Sequence, residues 1–162
     1  MDVLARAGAL ALAVTLAACQ PTPRPLSPDQ EAVFAQPVDA ELMVATARNA
    51  MRYETLRVEA PAGATVRLVV DNATTTSPAM VHNVVVVASE ADVERVGRAA
   101  AGERDNIPDD AAILAYTPLA GPGERRAVVF TMPAPGEYPF VCTYPGHFQF
   151  MQGTLVSTEP AP

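Results

Sequence analysis

The chain has 162 residues, enough for one domain, and its 18 Asp and Glu against 11 basic residues give a formal net charge of −7. Hydrophobic residues make up 49% of the chain and charged residues 18%, so the composition supports a packed core and excludes a wholly disordered chain. Every basic residue is an arginine, and the pair Arg125-Arg126 is the largest basic cluster, which excludes a nucleic-acid-binding surface.

Residues 1–18 have the pattern of a signal peptide. Arg6 precedes an apolar stretch that is shorter than the roughly 20 residues a membrane-spanning helix needs. Leu16-Ala17-Ala18-Cys19 resembles the lipobox of bacterial lipoproteins, in which cleavage leaves a lipid-modified cysteine as the new amino terminus. The alternative is an ordinary signal peptide with an incidental cysteine. The resemblance implies an exported lipoprotein that is anchored to a membrane through Cys19 and faces the periplasm or extracytoplasmic space.

Residues 19–40 are predicted to form a tether between the lipid and the folded domain. Four prolines within 20–28 favour a stiff, extended segment. Residues 29–40 show no clear pattern and fit either a tether or a short helical turn. The folded domain is therefore predicted to span 41–162. Acylation of Cys19 would leave Cys142 without a partner for an intramolecular disulfide.

Short β-prone runs separated by turn residues follow from residue 41, among the 16 Pro and nine Gly of the chain. The strand candidates are 42–47, 55–60, 64–71, 84–88, 112–116, 126–132, 137–142 and 153–157. Eight strands at this spacing predict an all-β sandwich of two sheets. Apolar and polar residues alternate at 65–69, which predicts a half-buried strand. Four valines at 84–87 predict a strand buried on both faces or covered by another element.

One segment breaks the strand pattern. Ser89 is a helix N-cap candidate, and acidic residues occupy the first turn after it. Val93, Val96 and Ala100 then follow at helical spacing. The pattern predicts one short helix, over 90–101, inserted between strands.

Four residues form a candidate metal site. Cys142, His147 and Met151 have Cys-x4-His-x3-Met spacing at the end of a predicted strand, and His82 lies at the start of another. These two histidines are the only ones in the chain. Two imidazoles and a thiolate with a weak axial thioether are the ligands of blue-copper electron-transfer sites.

Other interpretations of these residues are weaker. A structural zinc site usually has four Cys and His ligands, whereas the fourth group here is a thioether. A cysteine nucleophile would need an orienting group and an oxyanion hole, and the sequence shows neither. Taken one by one, such residues are most often core, but a metal-free structural sandwich leaves their joint occurrence unexplained.

Three segments resemble the copper-site segments of azurin and the wider plastocyanin/azurin family, the cupredoxins. They are Met80-Val-His82-Asn83, Cys142-Thr-Tyr-Pro-Gly-His147 and Met151-Gln-Gly-Thr-Leu, and the similarity extends over 42–157. The resemblance implies a cupredoxin-type Greek-key sandwich of about eight strands with one short helical insertion and one type 1 copper. Residues 49–53 also resemble a strand of azurin.

The resemblance implies roles for the residues around the copper. His82 and His147 would bind through Nδ1 and Cys142 through its thiolate, with Met151 as the long axial ligand.

Residues beside the ligands would tune the site. The Asn83 side chain would join the two ligand loops, while the backbone amides of Asn83 and Tyr144 approach the sulfur. Val81 stands where azurins have a glycine whose carbonyl makes the opposite axial contact.

The function implied is electron transfer by a carrier that is not an enzyme. Electrons would pass through the edge of His147, inside an apolar patch formed by Met51, Met80, Tyr144, Pro145, Phe148 and Phe150. The partners would be a redox donor and acceptor, such as a cytochrome, a respiratory complex or a copper oxidase, and the protein would be a monomer. The alternative is a periplasmic copper chaperone or storage protein, which needs a more exposed site rich in Met and His.

Overall fold

A computed structural model describes residues 26–74 and 77–160. The predicted signal peptide, Cys19 and the tether up to residue 25 lie outside the described residues. Within the described part of the chain, no helix is long and apolar enough to cross a membrane.

Eight strands and two α-helices form the described chain. The strands are β1 (Ala40–Ala45), β2 (Arg57–Pro61), β3 (Thr65–Asp71), β4 (Val85–Val87), β5 (Ile113–Tyr116), β6 (Arg125–Thr131), β7 (Gly136–Val141) and β8 (Gln152–Thr158), and the helices are α1 (Pro28–Ala35) and α2 (Glu90–Ala99). One sheet has the order β1-β3-β6 and the other the order β2-β8-β7-β4-β5. The predicted all-β sandwich is confirmed, and each predicted strand overlaps one that forms.

The pairing of β4 with β7 brings two distant parts of the sequence to one end of the sandwich. These strands are antiparallel, and Val85 at the start of β4 pairs with Val141 at the end of β7. The residues just before β4 and just after β7 therefore meet at the same edge. His82 and Cys142 are in these two positions.

The core lies between the facing sheets and contains Leu68, Val70, Phe140 and Leu155, all fully buried. The alternation predicted for β3 is incomplete, because its outward-facing Arg67 is also buried, at 8% exposure. Helix α1 provides the cover.

Helix α1 forms where the sequence pattern indicated no definite element. The buried Gln30 side chain accepts from the backbone N–H of Ala127 (2.7 Å) and donates to its carbonyl (3.4 Å), which satisfies part of the free edge of β6. Arg67 donates to the carbonyl of Val33 (3.2 Å) and pairs with Glu41 (3.0 Å). Side-chain bonds to backbone hold this helix in place, and such bonds leave no periodic pattern in the sequence.

Helix α2 confirms the predicted insertion and explains the burial of β4. Val86 faces the main core, whereas Val85 and Val87 pack in a second cluster with Val93 and Val96 of the helix. Both faces of β4 are covered as a result.

Two local expectations differ from the structure. Ser89 stands at the N-cap of α2, but its hydroxyl donates to the Asp92 carboxylate (2.7 Å) and bonds no backbone N–H. Residues 49–53 form a turn rather than a strand, and only Tyr53 makes a single bridge, to Thr46. Asn49 has a left-handed φ of 57°, which bends the chain out of an extended path.

Candidate metal centre

His82 is fixed by its backbone just before β4. Its N–H donates to the carbonyl of Ala120 (3.1 Å), and the N–H of Ala120 donates to the carbonyl of His82 (2.7 Å). The imidazole is fully buried, and its Nε2 atom has no hydrogen-bond partner. The backbone bridge to Ala120 therefore positions His82, and no hydrogen bond to Nε2 orients its ring.

The other three candidate ligands lie on the loop that joins β7 to β8. Gly146, at a left-handed φ of 82°, precedes a 3-10 turn over His147–Gln149, where glycine avoids the strain of a side chain. The N–H of Met151 donates to the carbonyl of His147 (2.9 Å), and the N–H of Cys142 donates to that of Met151 (3.1 Å). These bonds close the loop and bring Cys142, His147 and Met151 together at its base.

The ligand atoms of His82, Cys142 and His147 form a compact triangle. The two Nδ1 atoms lie 3.3 Å apart, and the Cys142 Sγ lies 3.9 Å from the Nδ1 of His82 and 3.6 Å from that of His147. The centre of this triangle lies about 2.1 Å from each corner, close to the usual distance of roughly 2.0–2.3 Å from a metal ion to imidazole nitrogen or thiolate sulfur. The three atoms can therefore bind one ion without rearrangement.

The donor set matches copper better than a structural zinc ion. Among the residues that the structure describes, His82, Cys142 and His147 are the one group of His, Cys, Asp or Glu side chains placed to bind a metal. Met151 is fully buried in the core cluster that contains Cys142. A soft thiolate, two imidazoles and a thioether suit copper.

Burial controls protonation in the metal-free site. It raises the pKa of the Cys142 thiol to about 11, although hydrogen bonds from the backbone N–H groups of Asn83 and Tyr144 act to lower this pKa. Burial and the nearby His147 lower the pKa of His82 to about 4, and burial also lowers the pKa of His147. At pH 7 His82 is a neutral imidazole, ready to bind a metal, while Cys142 stays a thiol until a cation displaces its proton.

Asn83 joins the two ligand loops, as the resemblance implied. Its side-chain amide donates to the hydroxyl of Thr143 (2.8 Å) and accepts from the backbone N–H of Thr143 (2.9 Å). Thr143 was not predicted from the sequence. A threonine beside a cysteine has no distinctive pattern, so only the pairing of the loops reveals its role.

Asn72 is a second buried polar residue that was not predicted from the sequence. Its side chain donates to the carbonyls of Met80 (2.8 Å) and Ala120 (2.9 Å) and accepts from the hydroxyl of Thr46 (3.2 Å). Ala120 is the backbone partner of His82. Asn72 therefore holds the loop on which His82 depends, although an asparagine after a strand would normally indicate only a turn.

The residues of the predicted patch differ in exposure. Phe150 and Met51 are exposed at 64% and 43%; Pro145 is also exposed, and Met80 and Tyr144 are partly buried. Val81, predicted to lie beside the metal, is also partly buried. The Tyr144 ring lies 4.9 Å from the His147 ring, which is 6% exposed. Phe148 departs from the prediction because it is buried against α2 in the second cluster. The sequence predicted the apolar residues Val93 and Val96 of this helix, but not that Phe148 packs with them.

Known proteins share this fold and these motifs. A sequence model of the family described as copper binding proteins, plastocyanin/azurin family, matches residues 40–158. Auracyanin-A of Chloroflexus aurantiacus is 40% identical over 80 residues, and azurin iso-2 of Methylomonas sp. is 41% identical over 81 residues. Each match covers 46% of this chain, but only 49% and 63% of the respective relatives.

Solved structures give longer matches. The structure of auracyanin A, titled a "blue" copper protein, has a TM-score of 0.66 at 30% identity and covers 72% of this chain and 97% of its own. Sodium-dithionite-reduced auracyanin of Roseiflexus castenholzii has a TM-score of 0.66 at 34% identity and covers 76% of this chain and 97% of its own. The cupredoxin-type sandwich predicted from the sequence is confirmed.

Proposed function

The chain belongs to the plastocyanin/azurin family of copper-binding proteins, and we propose that it is a membrane-anchored electron carrier with one mononuclear blue copper centre. Copper bound at this site would supply a one-electron couple between Cu(II) and Cu(I). His82, Cys142, His147 and Met151 would hold the copper ion, with Cys142 binding through its thiolate. Two related structures support this function, since one is of a "blue" copper protein and the other is of a dithionite-reduced auracyanin.

The triangle of His82, Cys142 and His147 is the observation that carries the proposal. Its three ligand atoms lie within 3.9 Å of one another. The loop bonds of Met151 and the backbone bridge of His82 keep these positions fixed. A site whose ligands keep their positions in both oxidation states has a low barrier to electron transfer, because little rearrangement accompanies the change in charge.

Burial of the ligands favours an electron carrier over a copper chaperone or storage protein. His82, Cys142 and Met151 are fully buried, and His147 is 6% exposed. A protein that hands over metal needs ligands that an acceptor can reach. Electrons can instead leave through the His147 ring, which lies beside the partly exposed Tyr144.

We place the electron-exchange surface around His147, with the exposed residues Met51, Pro145 and Phe150 and the partly buried Met80 forming the apolar contact. A small apolar patch allows brief docking by a redox donor or acceptor. A cytochrome, a respiratory complex or a copper oxidase fits this description.

The anchor belongs to the same proposal. A lipid on Cys19 would attach an exported protein that acts outside the cytoplasm, with the folded domain spaced from the membrane by the prolines that follow. Gln30 of α1 bonds to the backbone of Ala127, which supports a folded part that begins near residue 28 and a tether before it.

The two cysteines give paired tests with opposite outcomes. The purified protein with one equivalent of Cu(II) should show an intense blue absorption band that bleaches with ascorbate and returns on oxidation. Cys142→Ser should lose this band but remain in the membrane fraction of the producing cells. Cys19→Ser should keep the band but should not incorporate a labelled fatty acid, which the unaltered protein and Cys142→Ser take up. A blue Cys142→Ser protein would refute the thiolate assignment, and a Cys19→Ser protein that still incorporates the fatty acid would refute the anchor.

A further inference from the structure

Tyr53 is a buried phenol next to the candidate metal centre with no role in the ligand set. Its side chain is 1% exposed, and its ring packs edge-on against Phe140 with the centroids 5.4 Å apart. The hydroxyl donates to the backbone carbonyl of Asn83 (2.5 Å). The ring alone would fill this space, so packing does not account for the hydroxyl.

Asn83 is held at each of its polar groups. Its side chain makes two hydrogen bonds with Thr143, and its carbonyl accepts from Tyr53. The following N–H, of Val84, donates to the hydroxyl of Thr117 (3.0 Å). The remaining group, the N–H of Asn83 itself, donates to the sulfur of Cys142.

The phenol is well suited to serve as a permanent donor. Burial raises the pKa of Tyr53 far above its usual value, and the nearby Cys142 raises it further. The hydroxyl therefore keeps its proton at any physiological pH. Without it, the Asn83 carbonyl would lose its donor inside the core, and a buried unpaired carbonyl tends to shift towards another partner.

We propose that Tyr53 is a positioning residue for the copper site, which acts by fixing Asn83 so that its backbone N–H stays directed at the Cys142 sulfur. The inference rests on the proposed function, because it concerns the same site. Tyr53 touches no ligand atom through its hydroxyl. Its effect passes through one residue, Asn83, which adjoins the ligand His82 and reaches the ligand Cys142.

The expected effect on the reduction potential has a definite sign. Reduction adds negative charge to the site, so an N–H dipole directed at the sulfur stabilises the reduced state more than the oxidised state. Loosening Asn83 weakens that bond. The potential should therefore fall when the Tyr53 hydroxyl is removed.

Tyr53→Phe tests the proposal, with Tyr138→Phe as its matched control. Tyr138 also donates its hydroxyl to a backbone carbonyl, that of Ala134 (2.8 Å), but it lies near the start of β7, whereas Cys142 follows the other end of this strand. Relative to Tyr138→Phe, the Tyr53→Phe protein should favour Cu(II) about threefold more at fixed potential, a fall of about 30 mV for a one-electron couple. The blue band should shift in Tyr53→Phe alone.

Amide hydrogen exchange of the metal-free proteins gives a second readout that does not depend on copper. The N–H of Asn83 should exchange at least about tenfold faster in Tyr53→Phe than in Tyr138→Phe. Local opening around Asn83 then no longer has to break the hydrogen bond from the Tyr53 hydroxyl to the Asn83 carbonyl. Equal potentials, equal bands and equal Asn83 exchange in the two variants would overturn the inference.

Two further outcomes are separable. If the unaltered protein shows no blue band, the proposed function fails, whereas a blue protein with an unresponsive Tyr53→Phe variant refutes only the role of Tyr53. If Tyr53→Phe does not fold, 3-fluorotyrosine at position 53 keeps the ring and is a stronger donor. That protein must then show a raised potential, and an unchanged one would overturn the inference.

Discussion

Cys142 is both a buried core residue and a candidate metal ligand. Its side chain is fully buried, and burial raises the pKa of its thiol to about 11. The backbone N–H groups of Asn83 and Tyr144 favour the opposite, charged state. By themselves these two hydrogen bonds do not offset the effect of burial on the pKa. When a cation is nearby, the same donors help to stabilise the thiolate. The residue is therefore inert without metal and a strong ligand with it.

Met151 gives a prediction at this scale. Met151→Leu should keep the blue band but raise the potential by at least about 30 mV, equivalent to about a threefold change in the ratio of oxidation states. A thioether donates weakly to the oxidised metal, whereas leucine donates nothing and fills a similar volume.

Voltammetry of Met151→Leu beside Met132→Leu provides the check. Met132 is also buried, at 3% exposure, in the same core cluster, but it is not a candidate ligand. Equal shifts in the two variants would mean that core packing, and not ligation, sets the potential.

Helix α2 supports the ligand loop as well as β4. Phe148 follows the ligand His147 in the 3-10 turn and packs against the helix at Gly97. A Cβ atom at Gly97 would lie 2.3 Å from Cγ of Phe148. The absence of a side chain on the helix therefore allows the close approach of the aromatic ring and, with it, the position of the turn.

Gly97→Ala should destabilise the protein by about 1–3 kcal/mol, because Phe148 must move to relieve the overlap. This sign opposes helix propensity, which favours alanine over glycine by about 1 kcal/mol. Urea unfolding measures the difference.

Gly136→Ala is the matched control, since a Cβ atom there would meet Tyr138 at an ordinary 3.5 Å. Its free energy of unfolding should stay within about 0.5 kcal/mol of the starting value. A Gly97→Ala protein as stable as this control would show that the ring yields without cost.

At the scale of the whole molecule, the chain is acidic, but the contact proposed for a redox partner is apolar. The net charge is −7, yet the residues proposed to contact a redox partner around His147 are apolar. Two copies of this negatively charged protein repel each other, so an uncharged contact between them favours electron exchange. An added carboxylate in the patch must be desolvated, or must repel its counterpart, in every encounter.

Met80→Glu should therefore slow electron self-exchange about tenfold, which corresponds to about 1.4 kcal/mol in the barrier. The spectrum should change little, because the backbone of Met80, which Asn72 holds, stays in place. Stopped-flow mixing or NMR line broadening gives the rate.

Met43→Glu adds the same charge elsewhere, since Met43 is 39% exposed on β1. This control should slow exchange less than twofold. Equal slowing by both variants would assign the effect to net charge and would contradict the patch.

The sequence predicted those features that repeat or have a distinctive chemistry. Alternating and valine-rich runs located the eight strands, because burial imposes a period on strands. The spacing from Cys142 to Met151 indicated a metal site, because few chemistries need these residues together. Helix α1 was not predicted, since Gln30 and Arg67 hold it through bonds to backbone carbonyls, which leave no period.

By itself, then, the sequence determined the sandwich, the inserted helix α2 and the residue types of the metal site. Only the tertiary structure decided how these parts meet. The antiparallel pairing of β4 with β7 places His82 beside Cys142, although 60 residues separate them. Asn72, Thr143 and the Tyr53 hydroxyl acquire their roles from that meeting, because a buried hydrogen bond depends on the position of its partner and not on the identity of its neighbours in the chain.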